Sequence, residues 1–101
     1  MNDYLLLMHD DAPRAAALPA GEDPWADYIA KLKSTGSFEG GSAIGGGACV
    51  NKAGTEVEIS RHIVGFIRVR ARDLDGAREL LAGNPVFEAG GTVEIRELPR
   101  S

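Results

Sequence analysis

Two short polar clusters, "HDD" and "RH", hold residue types suited to acid–base chemistry, and they contain both histidines of the chain. A histidine beside a carboxylate is a serviceable general base, because the carboxylate orients the ring and favours its protonated form. We therefore predict His62 as the base and Asp10 as its partner. His9 belongs to the same predicted site, and Arg61 is predicted to bind an anionic group. The alternative is that His9 and His62 are strand-end residues hydrogen-bonded to loops.

A second set of candidate residues follows His62 on an apolar run. Arg68 and Arg70 lie on the same side of an extended strand as His62, and Phe66 lies on that side between His62 and Arg68. We predict that Phe66 and Arg68 bind a ligand of anionic character. The alternative is that the arginines pair with carboxylates on neighbouring strands, namely Glu94 and Glu56 or Glu58.

Other chemistries have less support. Two histidines and an aspartate could ligate zinc, but no compact motif such as H-E-x-x-H is present, so we predict neither a metal nor another cofactor. Cys49 is the only cysteine, and no histidine stands at a recognisable spacing from it, which favours a bystander thiol. The glycines of "EGGSAIGGGA" lack the Gly-Lys-Ser/Thr of a phosphate-binding loop, and no helix is predicted behind them.

Composition sets the broad class of protein. The 101 residues amount to one domain, taken as 1–101. The net charge of −4 and the scattered basic residues argue against a nucleic-acid partner. The longest apolar run, residues 4–8, is too short for a membrane span or a signal-peptide core. Because a lone thiol also fits a reducing compartment, we predict a cytoplasmic protein without a membrane partner.

The elements that must position these residues alternate between strands and helices. Apolar or alternating runs predict strands at 4–8, 38–44, 62–71 and 92–98, with "NKAG" as the turn of a hairpin between the second and third. One helix is predicted after the N-cap and first-turn proline Asp23-Pro24, and another over 74–82, where Asn84-Pro85 prevents continuation. This order is typical of an α+β, ferredoxin-like βαββαβ antiparallel sheet in the order 4-1-3-2, with two helices on one face.

The residues on the two sides of the third strand predict how each face of the sheet is covered. One side carries an apolar set suited to packing against helices: Ile63, Gly65, Ile67 and Val69. The other side mixes large apolar and charged groups: His62, Val64, Phe66, Arg68 and Arg70. Two helices cover only one face of such a sheet. We therefore predict a homodimer in which two sheets pack face to face, a dimeric α/β-barrel with a cavity between them.

Sheet topology predicts which polar clusters meet. The end of the first strand and the start of the third lie at the same end of neighbouring strands, so His9 and His62 are expected at one rim. Successive residues of a strand point to opposite faces. His9 and Asp10 therefore differ in direction, and either could join His62.

Four segments together resemble the YCII-related proteins, and within them the group named for its DGPF motif. They read "YLLLMHDD", "DPWADYIAKLKSTGSFEGG", "GFIRVRARDLDGARELLAGNP" and "GTVEIREL", and they cover nearly the whole chain. The DGPF tetrapeptide itself is missing, because the corresponding region reads "AGTEVEISRHI". A role tied to that motif is therefore not carried over. The resemblance implies a dimeric α+β barrel.

The resemblance and the residues lead to two hypotheses about function. The first is a small cytoplasmic YCII-related protein that binds or transforms a small molecule in a dimer cavity by His/Asp acid–base chemistry. Kinship with muconolactone-isomerase-like barrels supports an enzymatic activity, although it implies no particular reaction. The second is a non-catalytic dimeric regulatory or accessory module linked to a sigma-factor system, since DGPF-type proteins are associated with such factors.

Overall fold

The computed structural model describes residues 1–13, 23–54 and 57–100 of the chain. Its elements in chain order are β1 (Asn2–His9), α1 (Pro24–Ser34), β2 (Phe38–Ala43), β3 (Ile63–Ala71), α2 (Leu74–Glu79), α3 (Pro85–Glu88) and β4 (Val93–Leu98). The strands form one sheet in the order β2-β3-β1-β4, and every neighbouring pair is antiparallel. The predicted α+β, ferredoxin-like fold and its strand order are both confirmed.

The core lies between the sheet and the helices, and alternation along the central strands creates it. Tyr4, Leu6 and Met8 are buried on one side of β1, whereas the residues between them are half-buried. Ile67 and Val69 continue this buried side on β3. The helices complete the core with Tyr28, Leu32 and Ala77, and Leu81 joins them from the turn after α2. The predicted division of β3 into a helix-facing side and a mixed side is therefore confirmed.

Local chemistry at the start of α1 agrees with the prediction. The Asp23 carboxylate accepts a hydrogen bond from the Ala26 amide at 3.0 Å, and Pro24 occupies the first turn. This capping satisfies an amide that has no partner within the helix. Leu32 and Tyr28 then point into the core, and the Tyr28 hydroxyl donates to the Leu80 carbonyl at 2.7 Å. None of the described helices is long and apolar enough to cross a membrane.

The chain differs from the prediction after α2, where a further short helix forms. Asn84-Pro85 was predicted to prevent continuation of the helix, and α2 does end before it, at Glu79, but the same two residues also start α3. The fully buried Asn84 side chain accepts hydrogen bonds from the amides of Val86 and Phe87 at 3.0 and 3.1 Å. Asn84 is thus an N-cap, and Pro85 fills the first-turn position that tolerates proline.

The predicted hairpin is only partly formed among the described residues. Its turn is present, because the Gly54 amide donates to the Asn51 carbonyl at 3.2 Å and Gly54 has a φ of 75°. Cys49 and Val57 form one antiparallel bridge, but neither arm continues into a strand in the described part. Glu56 lies outside the described residues.

Candidate functional site

The face of the sheet that the helices leave uncovered is called the open face. It carries alternate residues of β1 with their partners on the neighbouring strands, and His9 is its last β1 residue. His9 Nε2 lies 3.0 Å from Glu94 Oε1 of β4, and the His9 side chain is only 20% exposed. The His9 amide also donates to the Thr92 carbonyl at 3.0 Å. His9 is therefore held on β4 by both its backbone and its ring.

His62 lies directly beside His9. The two ring centroids are 5.0 Å apart and the rings are almost perpendicular, at 83°. An irregularity in the β1–β3 ladder assists this approach, because His9 pairs with Ile63 whereas Met8 pairs with Gly65. The backbone continues the contact, since the Asp10 amide donates to the His62 carbonyl at 2.7 Å. The prediction from topology that both histidines share one rim is confirmed.

The acidic residues after β1 have separate surroundings. Asp10 is exposed and meets His62 through the backbone bond just described. The Asp11 carboxylate accepts from the Thr92 amide at 2.7 Å and from the Thr92 hydroxyl at 2.6 Å. These bonds, the hydroxyl first, hold the pKa of Asp11 below its usual value. Among the described residues, the carboxylate hydrogen-bonded to a histidine ring is thus that of Glu94, not Asp10.

Glu94 links the histidines to a basic neighbour. Its second oxygen, Oε2, accepts from Arg96 Nη1 at 3.1 Å. The Arg96 hydrogen bond, followed by the His9 contact, lowers the pKa of the Glu94 carboxyl. Glu94 is therefore ionised at neutral pH and presents a negative charge to His9. Sequence reasoning named Glu94 only as a possible partner of the β3 arginines, because its place beside His9 follows from the β1–β4 register, in which Leu7 pairs with Glu94.

The predicted ligand-binding residues lie at different distances from the histidines. Phe66 pairs with Leu7, one side-chain layer from His9 on the open face. Arg61 is exposed and precedes His62 in the chain. Arg68 pairs with Leu5, four residues before His9, which corresponds to about 13 Å along a strand.

Arg68 belongs to a separate charged cluster at the far end of the open face. Its guanidinium lies 3.4 Å from the Asp3 carboxylate, which also meets Arg70 at 3.7 Å and Arg100 at 3.8 Å. Arg70 additionally approaches Glu39 at 3.5 Å. The arginines thus pair with carboxylates of neighbouring strands, as the alternative predicted, but their partners are Asp3 and Glu39.

The described residues contain neither a metal-binding cluster nor a cysteine with a catalytic histidine beside it. No group of three His, Cys, Asp or Glu side chains there is arranged to hold a metal ion. Cys49 is a free, exposed thiol whose sulfur lies 3.5 Å from the Glu58 carbonyl. Cys49 and Glu58 belong to the segment between β2 and β3 and to neither strand.

Comparison with solved structures agrees with the fold. The chain is similar to 5-chloro-2-hydroxyhydroquinone dehydrochlorinase (TftG) from Burkholderia phenoliruptrix AC1100, solved in complex with 2,5-dihydroxybenzoquinone. The two share 16% identity with a TM-score of 0.58, over 98% of this chain and 95% of that one. No curated protein matches the sequence significantly.

Comparison with protein families identifies the whole domain. Residues 3–100 match the YCII-related domain, and they include every strand and helix described above except the first residue of β1. The same residues carry both histidines and Glu94. The chain therefore belongs to the YCII-related family.

Proposed function

We propose that this YCII-related protein binds a small molecule on the open face and exchanges protons with it through His9 and His62. The observation that carries the proposal is the 3.0 Å contact between His9 and Glu94, with the His62 ring 5.0 Å from His9. An ionised carboxylate that fixes one ring nitrogen leaves the other, Nδ1 of His9, to take or give the proton. The role predicted for Asp10 then passes to Glu94.

His62 remains in the proposal as the second proton-transfer group. Its predicted function as the general base has support from its position beside His9, and the exposed Arg61 directly precedes it in the chain. When two histidine rings lie side by side, one can accept a proton from the bound compound while the other donates a proton to it. An isomerisation or elimination on a ring compound requires both transfers. We therefore propose an enzymatic role in preference to binding alone.

The class of ligand is proposed from the surroundings of the histidines. Leu7 and Phe66 are paired neighbours on the open face and offer an apolar surface for a planar ring. Acid–base groups next to such a surface suit a ring that bears acidic hydroxyl or carboxylate substituents. The TftG complex with 2,5-dihydroxybenzoquinone makes this compound a suitable first probe. Arg68 is too far along the strand to bind the same ring directly, and it is proposed to attract anions to the face.

A second copy of the chain is proposed to close the site. In the single chain, the open face leaves Leu5, Leu7, Phe66 and Leu98 only half-buried. Packing two such faces together would bury these side chains and enclose the histidines in a cavity. Size-exclusion chromatography with light scattering should give a dimer at micromolar concentration, and a monomer there would contradict this part of the proposal. The lone exposed thiol also supports a cytoplasmic location.

The test of the function compares two neutralised glutamates on the same strand. We expect Glu94→Gln to weaken binding of 2,5-dihydroxybenzoquinone at least about tenfold by titration calorimetry, because the oriented histidine is lost. His9→Asn should do the same. Glu97→Gln is the matched control, since Glu97 is exposed on β4 and pairs with Tyr4 away from the histidines. Equal binding by both glutamine variants would refute the role of Glu94.

A regulatory or accessory module remains the second candidate, and one surface favours it. Leu74 and Phe87 are 45% and 46% exposed. Together with Leu81, Val93 and Ile95 they line a largely apolar groove beside β4, to which Arg78 adds one charged side chain. A groove of this kind outside the proposed dimer face suits a protein partner. The partner would co-purify stoichiometrically from the native host and be lost with Leu74→Asp and Phe87→Asp. Retrieval of no such partner would count against this function.

A further inference from the structure

A cavity lies at the β2–β3 edge of the sheet and is lined by residues of α1 and α3 as well, with a volume of about 480 Å³. Its lining comes mainly from the helix-covered side, but Ser42, Val64 and Phe66 of the open-face set also contribute. Trp25 and Ile29 of α1 form one wall, Phe38 forms another, and Val86 of α3 completes it. This volume lies within the range of small-molecule sites.

Small residues on two neighbouring strands create the space. Gly65 occupies the buried side of β3, where Ile67 and Val69 carry full side chains, and its partner on β2 is only Ala43. Gly41, which pairs with Ile67, also lines the cavity. The space is therefore widest at these small residues, while Met8 and Ile67 contribute larger side chains to the lining.

The structure requires glycine at position 41 but not at position 65. A Cβ on Gly41 would lie 2.6 Å from the Phe66 carbonyl oxygen, so the close approach of β2 to β3 requires glycine there. A Cβ on Gly65 would meet nothing nearer than 3.4 Å, and the φ of Gly65 is not positive. The backbone thus does not require a glycine at position 65. An unfilled apolar cavity forfeits packing contacts, so a ligand that filled the space beyond Gly65 would gain them.

The lining specifies the chemistry of such a ligand. Among the described residues no charged side chain lines the cavity. Its polar side-chain groups there are the Trp25 indole N–H and the Ser42 hydroxyl, which already donates to the Ala43 carbonyl at 2.9 Å. A charged ligand would lose its hydration there without a compensating partner. Trp25 is 38% exposed despite its size, and with Phe38 it offers aromatic surface to a ring. We propose that this cavity binds a neutral, largely apolar aromatic molecule, a different class of ligand from the acidic ring proposed for the histidine site.

A pair of matched probes tests the proposal. N-phenyl-1-naphthylamine and 1-anilinonaphthalene-8-sulfonate share a ring skeleton, but only the second carries a charge. Trp25 is the only tryptophan of the chain, so energy transfer from it to the probe reports binding to the protein, and the substitutions described next assign that binding to the cavity. We expect saturable transfer to the neutral probe and binding of the sulfonate weaker by about tenfold or more. Equal affinity for the two probes would overturn the proposal.

Glycine substitutions then locate the bound probe. Gly65→Leu should fill the cavity and weaken binding of the neutral probe at least about tenfold. Gly47→Leu is the control, because a side chain there meets nothing within 4 Å, and its affinity should remain within about twofold. Ile29→Phe reduces the space from the opposite wall, should Gly65→Leu fail to fold. Unchanged binding in a folded filling variant would overturn the proposal.

Discussion

Removal of the Asn84 side chain tests whether α3 depends on its buried cap. In Asn84→Ala the amides of Val86 and Phe87 lose an acceptor at 3.0 and 3.1 Å in a position with no exposure to solvent. Each hydrogen bond contributes on the order of 1 kcal/mol net. We therefore expect the free energy of unfolding to fall by about 2 kcal/mol.

Asp73→Ala provides the matched comparison on α2. The Asp73 carboxylate is also an N-cap, but it accepts one hydrogen bond, from the Gly76 amide at 2.8 Å, and Asp73 is exposed. Water can replace an exposed acceptor, so the expected loss is about 1 kcal/mol. The difference between the two variants isolates the effect of burial and of the second bond.

Urea unfolding at one fixed protein concentration measures both losses, because self-association would otherwise change the apparent stability. The melting temperature of Asn84→Ala should fall by roughly 10 °C for a domain of this size. If Asn84→Ala costs no more than Asp73→Ala, burial of the cap does not stabilise α3 and the reasoning is refuted.

Three further outcomes follow from packing and hydrogen bonding. Leu6→Ala, at a fully buried position, should lower the free energy of unfolding by about 3 kcal/mol in urea, and a loss below about 1 kcal/mol would contradict the assigned core. Gly41→Ala should be far less stable to heat than Gly45→Ala, since a Cβ clashes with backbone only at Gly41; equal melting temperatures would disprove the close strand approach. Thr92→Val removes the hydroxyl but keeps the backbone amide, so it should raise the pKa of Asp11 towards its usual value, measured by carboxyl NMR titration; an unchanged pKa would show that the Thr92 hydroxyl does not cause the shift.

Much of the fold could be predicted because it depends on patterns along the chain. The alternation of β3 predicts which side meets the helices, and the apolar character of β1 predicts its central place. Asp23-Pro24 marks the start of α1 by local hydrogen bonding alone. α3 was missed because Asn-Pro can end one helix and cap another. Only the packing that buries Asn84 distinguishes the two outcomes.

The candidate site was predictable to a smaller extent. Topology alone brings His9 and His62 to one rim, and the structure places their rings in contact distance. Glu94 could not be identified in that way, because cross-strand neighbours depend on the β1–β4 register rather than on nearness in the chain. Neither could the pairing of Arg68 with Asp3, which depends on the register of β1 and β3.

The irregular pairing after Met8 makes the histidine pair depend on chain length as well as on residue identity. β3 carries one extra residue here, since Gly65 pairs with Met8 but Ile63 pairs with His9. A deletion at Val64 would restore regular pairing and would turn His62 to the helix-covered side. A relative that has both histidines but lacks the extra residue between Ile63 and Gly65 would therefore not bring the two histidine rings together. In an alignment of such chains, a gap at the position of Val64 would consequently indicate loss of the histidine pair even where both histidines are present.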